Sequence, residues 1–519
     1  MTTDGSTVKG AIFAFLFTTM LAGLLPLPAL AQVTAEEDAP NGAEATPRDS
    51  TYLGRITTPS GGESVDTRLS TDDLQVRFQG NAQNALASIP SVMTRQSPNQ
   101  PGIEVNIRGM SGYGRVATMI DGVPQNFRNV AGHEASGGNM LYIHPELLAG
   151  VDVTRGPVPG ADGSGTLTGA ANFRTLAIKD QLRDGAQQGL WTRVKAGSNG
   201  QNLSGMMAFG QRFDAPWAGD GRIDMLLALA HSDNGNYRTG AGSALPDGPS
   251  GRASTDAPSG TMMKIDIVPS SRHALNFGLR TYDNTFQNSS YTWDVSNRTW
   301  TADYHFTPDN PLINLTIATY YNDTNLNYPG TGGSYAGRRT QEETYGISAT
   351  NRAEVPLASG SLLELEYGLS WGRDDFQTHA MRGGNHPGKL DKASAFAEAE
   401  LSFDRFSLSG GLRYDYWQID GYRPPYQAGV ADCPADGPAC GDEWAQRDGG
   451  RLLPKIGAAY LLTPDLTLRA SYAHTLRPPT THEAFFALVP FGNGTSPFKI
   501  PDASSNRALV GKTIHWNFF

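Results

Sequence analysis

The chain has 519 residues, a net charge of -10 and a mean hydropathy of -0.38. A hydropathy this low excludes a bundle of transmembrane helices, and the acidic balance argues against a nucleic-acid-binding protein, which needs a basic face. A transmembrane β-barrel is compatible with these values, because only every second residue of its strands faces lipid.

Residues 1–31 have the pattern of a secretory signal peptide. An apolar run from Ala11 to Leu25 follows a lysine, and Ala29-Leu30-Ala31 supplies the small side chains of a cleavage site. Two prolines after the run keep it shorter than the roughly 20 residues that a membrane helix needs. We therefore expect export rather than a single membrane anchor.

Residues 32–66 are predicted to be a flexible periplasmic segment. Its first part, 32–50, is acidic, rich in proline and alanine, and nearly free of large apolar side chains, which is typical of disorder. The patch Tyr52–Thr57 then favours an extended strand. Such a patch can add to the sheet edge of a partner protein or form an ordinary edge strand, and the sequence leaves both alternatives open.

Residues 67–180 are predicted to form a compact mixed α/β domain. The segment Leu74–Val92 indicates a short helix with one apolar face, made of Ala85, Leu86 and Ile89. Short β-branched runs then alternate with glycine-bounded turns in the motifs NIRGM, MIDGVP, PELLAGVDVTRGP and GSGTLTGAANFRT. Because Arg108, Asp121 and Arg155 end such runs, we expect charges at the rim of the domain.

Residues 187–519 change to a pattern of period two, in runs separated by Gly, Asn, Asp and Pro. The hairpin of Ala395–Phe403 and Phe406–Tyr416, joined by a tight turn at Asp404-Arg405, shows this pattern most clearly. Runs of about ten residues cross a bilayer at barrel tilt, and long loops alternate with tight turns. The sequence therefore predicts a transmembrane barrel of roughly 14 strands.

Two cysteines, Cys433 and Cys440, lie in the long loop between Asp420 and Arg451. In an exported chain this spacing predicts a local disulfide, worth about 2 to 3 kcal/mol by loop closure. A zinc site is the alternative, and the loop has no histidine to complete it. The sequence has no G-x-S-x-G, H-E-x-x-H or phosphate-loop motif, so we predict a protein that is not an enzyme and holds no resident cofactor.

In their order and spacing, the four motifs of 67–180 resemble the plug of TonB-dependent outer-membrane receptors. The resemblance implies an all-β transmembrane barrel around an N-terminal mixed α/β plug domain. About 14 of the family's 22 strands are found, so we expect an incomplete barrel, truncated at its carboxyl end. The resemblance also implies a Ton box near Tyr52–Thr57 for a TonB-type energy-coupling protein, and barrel glutamates facing Arg108 and Arg155.

The positions of the histidines indicate which kind of iron carrier the receptor would bind. Haem-transporting members of the family carry a Gly-His dipeptide in the external apical loop of the plug, where this chain has His133, and an imidazole there can bind haem iron. The stretch from His474 to Phe485 resembles their "FRAP" box, which makes His482 the candidate second ligand, although the accompanying "NPNL" box is absent. His379 and His386 are the fallback candidates. A loop histidine without a ligand is the alternative interpretation of His133.

The sequence thus predicts a TonB-dependent receptor of the outer membrane that takes up an iron carrier, haem or a haem protein. Haem or a ferric chelate would be its transported ligand, and outer-membrane lipid and the energy-coupling protein its other partners. A ferric-siderophore receptor, which would bind through aromatic and arginine side chains, is the first alternative. A passive porin, an adhesin or a non-functional truncated receptor is the second.

Overall fold

The computed structural model describes residues 67–94, 100–127, 140–183, 185–215, 221–244, 256–288, 291–329, 337–357, 360–379, 387–423, 443–463, 466–485 and 509–518. The predicted signal peptide, the segment 32–66 and both cysteines lie outside these residues. Among the described residues, no helix is long and apolar enough to cross a membrane.

The described residues of 67–180, which we call the plug, form two small sheets, one short α-helix and one π-helical turn at Asp73–Arg77. The helix α1 spans Ala82–Ala87, and short 3-10 turns occupy Pro145–Leu147, Ala161–Gly163 and Ile178–Asp180. The strands are β1 (Thr67–Leu69), β2 (Val92–Met93), β3 (Asn106–Ile107), β4 (Met110–Ser111), β5 (Ala117–Ile120), β6 (Val123–Pro124), β7 (Leu148–Arg155) and β8 (Gly169–Thr175). One sheet has the order β1-β7-β8-β5-β6, with β5 and β8 parallel, and the other has the order β2-β3-β4.

The plug core lies between α1 and the larger sheet. The predicted apolar face of the helical segment is confirmed, because Ala85, Leu86 and Ile89 are buried against strand residues such as Val151 and Phe173. Asn81 caps the amino end of the helix, because its side chain accepts a hydrogen bond from the amide of Asn84 at 2.9 Å. The mixed α/β plug predicted from the sequence is therefore confirmed.

The rest of the described chain is one antiparallel sheet of 14 strands, in which neighbours in sequence are neighbours in space. These strands are β9 (Gln188–Ala196), β10 (Gln201–Asp214), β11 (Arg222–Asn234), β12 (Ser259–Ser270), β13 (His273–Asn288), β14 (Tyr291–Phe306), β15 (Leu315–Asn327), β16 (Arg339–Pro356), β17 (Leu362–His379), β18 (Gly388–Phe403), β19 (Phe406–Arg423), β20 (Glu443–Thr463), β21 (Leu466–Arg477) and β22 (Leu509–Phe518). In the described part of the chain, β9 and β22 are the two ends of the sheet, so the barrel is not closed.

Alternation along the strands gives the sheet an outer apolar face and an inner polar one. The predicted hairpin is confirmed, with Phe403 opposite Phe406 and Asp404 in the left-handed turn conformation at φ 46°. Ala395 and Ala397 are exposed on the outer face, while Phe396 between them is buried. Large exposed side chains on neighbouring strands, among them Leu369, Trp300, Leu412 and Ile456, extend this apolar face, which a bilayer would cover.

The predicted strand length of about ten residues is wrong. Strand β17 has 18 residues and β20 has 21, because the hydrogen-bond ladder continues past the apolar face into polar residues. These extensions lie at one end of the sheet, which we call the loop end, where long connections such as 424–442 join the strands. The opposite turn end has tight connections, such as 271–272 and 404–405.

Charges and hydrogen bonds hold the plug against the inner face of the sheet. The buried carboxylate of Glu146 is 2.7 Å from Arg193 Nη1 and 2.6 Å from Lys195 Nζ, both on β9. Asp121 is 3.2 Å from Lys264 Nζ on β12. In these pairs the plug supplies the carboxylate and the barrel strand supplies the cation.

The prediction that Arg108 and Arg155 face glutamates of the barrel stays a prediction. The hydrogen bonds described for Arg155 run to the carbonyl oxygen of Pro90 at 3.0 Å and to Thr67 Oγ1 at 2.9 Å, both within the plug. Arg108 is exposed in a turn with φ 54°. A different plug arginine, Arg115, faces a glutamate outside the plug, Glu483, at 3.6 Å.

A buried histidine joins the plug to strand β11. His144 Nδ1 accepts a hydrogen bond from the amide of Glu146 at 3.3 Å, which leaves the ring proton on Nε2, 3.1 Å from Ser232 Oγ. Burial lowers the pKa of His144 to about 4, although the nearby Glu146 carboxylate acts in the opposite direction. The ring is therefore neutral at neutral pH, as these two hydrogen bonds require.

Because of His144, the fold should lose stability in mild acid. An unfolded histidine binds a proton below about pH 6.5, whereas the buried ring binds one only near pH 4. As the pH falls between these values, the unfolded state gains the proton first, and the free energy of unfolding drops by roughly 3 kcal/mol. Urea unfolding near pH 7 and near pH 4 measures this drop. His144→Gln should show a drop smaller by that amount, and an equal pH dependence in both proteins would contradict the assignment.

Candidate ligand site at the loop end

An aromatic cluster fixes both ends of the plug segment 128–139. Phe127 and Met140, which flank this segment, are buried together with Tyr142. Strands β13 to β15 and the residue that follows β15 supply the other members, which are Tyr282, Phe286, Trp293, Val295, Leu326 and Tyr328. We call this group the aromatic anchor.

Ring contacts hold the aromatic anchor together across three barrel strands. The ring centroids are 6.0 Å apart for Tyr142 and Tyr282, 5.9 Å for Phe286 and Trp293, and 5.8 Å for Trp293 and Tyr328. Such offset and edge contacts are favourable beyond the area that they bury. Because Phe127 and Met140 are in one cluster, the two residues that flank 128–139 are both held at the loop end. His133 belongs to that segment and lies outside the described residues.

A single carboxylate connects the start of that segment to a second plug loop and to the barrel. Asp374, near the loop end of β17, accepts hydrogen bonds from the Tyr113 hydroxyl and from Asn126 Nδ2, the latter at 2.9 Å. Lys392 Nζ on β18 lies 3.0 Å from the same carboxylate and 5.5 Å from the centre of the Tyr113 ring. Three donors from three chain segments thus meet at Asp374.

Burial and the adjacent charge fix the protonation state of Tyr113. Desolvation, followed by the negative charge of Asp374, raises the pKa of the Tyr113 phenol well above its ordinary value. The phenol therefore keeps its proton and donates it to the carboxylate. Gly114 lets this loop approach the barrel closely, because a Cβ at this position would lie 2.5 Å from Arg477 Cγ.

The helix that contains His482 is held over the same loop. Helix α2 spans Thr481–Phe485 and packs against β18 and β19. Thr480 caps it, because its Oγ1 accepts from the amide of Glu483 at 3.1 Å while the Glu483 carboxylate accepts from the amide of Thr480 at 2.9 Å. Arg477 binds the same carboxylate through two hydrogen bonds, at 2.7 and 3.0 Å.

The start of helix α2 lies next to the plug residues Tyr113 and Asn126. A cavity of about 20 Å³ is lined by Tyr113, Asn126 and Asp374 on one side and by Thr480 and Thr481 on the other. This is room for one water molecule, so the base of the segment 128–139 and the start of α2 are neighbours. His133 follows Asn126 by seven residues, which span at most about 25 Å when extended.

The fallback histidines are placed differently. His379 is exposed at the end of β17, opposite Arg339 of β16, and does not line the small cavity. His386 lies outside the described residues. Helix α2, which contains His482, therefore starts close to Asn126, and the pairing of His482 with His133 stays a prediction.

A larger cavity of about 1330 Å³ separates the plug from strands β9 to β13. Most of its lining is polar, with side chains such as Gln75, Asn81, Lys195, Asn234 and Asp256. Beside this cavity the plug also packs against β10 to β12 through a buried apolar cluster, in which Leu147 and Leu176 contact residues such as Met206 and Leu226.

No motif in the sequence marks the residues that organise this site. Tyr113 lies in a glycine-rich turn, and Asp374 follows the alternation of its strand without any distinguishing motif. The spacing Thr480-x-x-Glu483 is a capping signal that the sequence does display.

We expect the charge on Asp374 to be what holds the plug loop and the barrel together. Asp374→Asn keeps the size of the side chain but leaves the half-buried Lys392 ammonium without its counter-ion, and the free energy of unfolding should fall by about 3 kcal/mol. Adding Lys392→Gln removes the unpaired charge and should restore most of the loss. Urea unfolding in detergent of the parent, of Asp374→Asn, of Lys392→Gln and of the double variant measures the coupling energy between Asp374 and Lys392. Losses that simply add in the double variant would contradict it.

Two family models match the chain. The one described as "TonB dependent receptor-like, beta-barrel" matches residues 216–506, which is more than half of the chain. The one described as "TonB-dependent Receptor Plug Domain" matches residues 60–170.

Curated proteins similar to the chain include haem receptors. The "Hemin receptor" of Yersinia pestis is 26% identical over 441 residues, which are 81% of this chain and 57% of that protein. The "TonB-dependent heme receptor A" of Haemophilus ducreyi is 22% identical over 536 residues, covering 92% of this chain and 69% of that protein. A "Probable TonB-dependent receptor" of Haemophilus influenzae is 36% identical over 167 residues, 31% of this chain and 18% of that protein. The chain thus spans little more than half the length of the hemin receptor.

Solved structures agree with these matches. The Serratia marcescens hemophore receptor HasR, a double mutant in complex with its hemophore HasA and heme, superposes with a TM-score of 0.70 at 26% identity, covering 81% of this chain and 64% of that chain. The closed form of the ferric-catecholate import receptor Fiu of E. coli gives 0.62 at 15% identity, covering 87% of this chain and 70% of that chain. With its plug and its strands matched in sequence and in fold, the chain belongs to the TonB-dependent receptor family.

Proposed function

We propose that this receptor takes up haem, free or delivered by a haem protein, across the outer membrane. The observation that supports this proposal best is the contact between the base of the segment 128–139 and helix α2, because these two elements contain His133 and His482. Two neutral imidazoles on opposite sides of a planar ligand suit haem iron, which binds nitrogen on both of its axial positions.

The relatives support haem over a ferric siderophore. Curated proteins that match more than four fifths of the chain include ones named as hemin or heme receptors, and the HasR structure contains heme. Fiu, the ferric-catecholate receptor, matches in fold at a lower identity of 15%. A siderophore would need aromatic and arginine side chains at the site and would not need either histidine.

A passive pore fits the structure less well. The plug is tied to the inner face of the sheet by buried contacts, including those of Glu146 and Asp374, and its Gly160 carbonyl accepts a hydrogen bond from Arg413 of β19. An open channel has no use for a stopper held in this way, whereas a gated transporter does.

Uptake would begin at the loop end and finish with a change in the plug. Haem would bind between the segment 128–139 and α2, next to the network of Asp374. A TonB-type energy-coupling protein, engaging the segment 32–66 from the periplasm, would then supply the work that breaks plug contacts such as Glu146 with Arg193 and Lys195. The large polar cavity beside β9 to β13 would give the plug room to move.

The two histidines provide the test. The purified receptor in detergent should bind haemin with a low-spin, histidine-type Soret spectrum, because two imidazoles are strong axial ligands. His133→Ala or His482→Ala alone should weaken binding and change the spin state, and the double substitution should remove the spectrum. His273→Ala, at the turn end, is the matched control and should bind as the parent does.

Growth on haem as sole iron source is the second measurement. The double variant should fail to grow, while the control variant should grow normally. Unchanged haemin spectra in the double variant would overturn haem ligation by these residues and leave the siderophore alternative.

A further inference from the structure

A further cavity lies at the loop end, between β15, β16 and β17. Its volume is about 430 Å³, within the usual range for ligand pockets. The residues that line it are Asn327, Tyr328, Pro329, Gly337, Arg338, Arg339 and His379. Two arginines, a histidine and a tyrosine therefore converge in one place.

The charge in this cavity is positive, although the whole chain is acidic. The hydrogen bonds described for Arg339 go to neutral amide oxygens, Asn325 Oδ1 at 2.7 Å and Gln341 Oε1 at 3.4 Å. The neighbouring carboxylate, Asp323, is itself held by both of these amides at 2.9 Å. The hydrogen bonds described for Arg339 therefore go to neutral amides and not to a carboxylate. Its positive charge can still attract an anion.

The other lining residues add a flat surface and a second cation. The Arg338 guanidinium is buried, with its central carbon 5.9 Å from the centre of the Tyr328 ring. His379 is exposed at the rim, directly opposite Arg339 in the strand pairing. Guanidinium groups bind carboxylates with two parallel hydrogen bonds, which no other side chain matches in geometry.

The cavity adjoins the ligand site through one residue. Tyr328 lines the cavity and also belongs to the aromatic anchor, where its ring is 5.8 Å from Trp293. The anchor holds Phe127 and Met140 at the two ends of the segment 128–139. The cationic cavity is therefore adjacent to the cluster that contains Phe127 and Met140.

We propose that the cavity of Arg338, Arg339 and His379 binds the carboxylate groups of a tetrapyrrole, and so orients the ring at the loop end. The inference rests on the proposed function, since it assigns a second contact to the same ligand. This second contact differs in chemistry from the proposed histidine ligation. Carboxylate recognition needs no iron, whereas ligation by His133 and His482 does.

Metal-free protoporphyrin IX and its dimethyl ester separate the two contacts. Neither has iron for a histidine to bind, and they differ only in whether the carboxylates are charged. The parent receptor should bind the free acid at least about tenfold more tightly than the ester, as measured by porphyrin fluorescence, because hydrogen bonds between charged groups are the strong ones. Arg339→Gln should weaken binding of the acid about tenfold and leave the ester unchanged.

Two further variants keep the result unambiguous. His379→Gln changes an exposed residue at a strand end and should reduce the preference for the acid without disturbing the fold. Arg272→Gln, an exposed arginine paired with Asp309 at the turn end, is the control and should leave both affinities unchanged.

The outcomes distinguish this inference from the proposed function. Equal binding of acid and ester by the parent, no binding of either, or an equal loss of both in Arg339→Gln overturns the carboxylate site, whatever haemin does. A preference for the acid that Arg339→Gln removes supports the site. If haemin then gives no histidine-type spectrum, haem ligation fails and the carboxylate site remains.

Discussion

The loop end of this receptor depends on one buried carboxylate. A charge removed from water must be met by enough donors and an opposite charge, or the fold loses several kcal/mol, on the order of the cost of a broken buried pair. Asp374 meets this requirement with Tyr113, Asn126 and Lys392, which come from two plug segments and from the next barrel strand. Loss of any one of these groups would weaken the compensation of the buried charge. The base of the segment 128–139 therefore has a fixed position relative to the barrel.

Two other features transmit that constraint to the ligand site. The aromatic anchor holds both ends of the segment 128–139 against β13 to β15, and the capping pair Thr480 and Glu483 holds α2 beside β18 and β19. Since α2 and Asn126 line one small cavity, a ligand bound there as we propose would touch plug and barrel at once. This is the arrangement that a receptor needs if occupancy outside is to affect the plug inside.

Much of the fold could be predicted from the sequence because its signals are local. Alternation of apolar and polar residues gave the strands, and the turn at Asp404 gave the register of one hairpin. Plug motifs in a fixed order gave the domain order. The strand ends could not be predicted, because the ladder continues wherever a neighbouring strand is present, and period-two patterning fades in the polar extensions such as Arg373–His379.

For the candidate site, the sequence reveals local motifs but not the contacts between distant residues. Tyr113 and Asp374 are 261 positions apart, and no local pattern reports a contact that depends on which strand lies beside the plug. The same limit applies to the charges, since the sequence singled out Arg108 and Arg155, while the described ion pairs between plug and strands use Glu146 and Asp121 on the plug side. Carboxylates of the plug meet cations on β9 and β12, and only the register of those strands reveals the pairing.

In the proposed function, residues 133 and 482 face one another across a single haem site. Cysteines placed at both positions, with Cys433 and Cys440 replaced by serine, can be joined by a short bis-maleimide and the product identified by mass spectrometry after proteolysis. We expect an intramolecular cross-link between positions 133 and 482, which bound haemin blocks, and none between position 133 and a cysteine at position 404 of the turn end. Absence of the first cross-link, or equal yields of both, would contradict a shared site for these two residues.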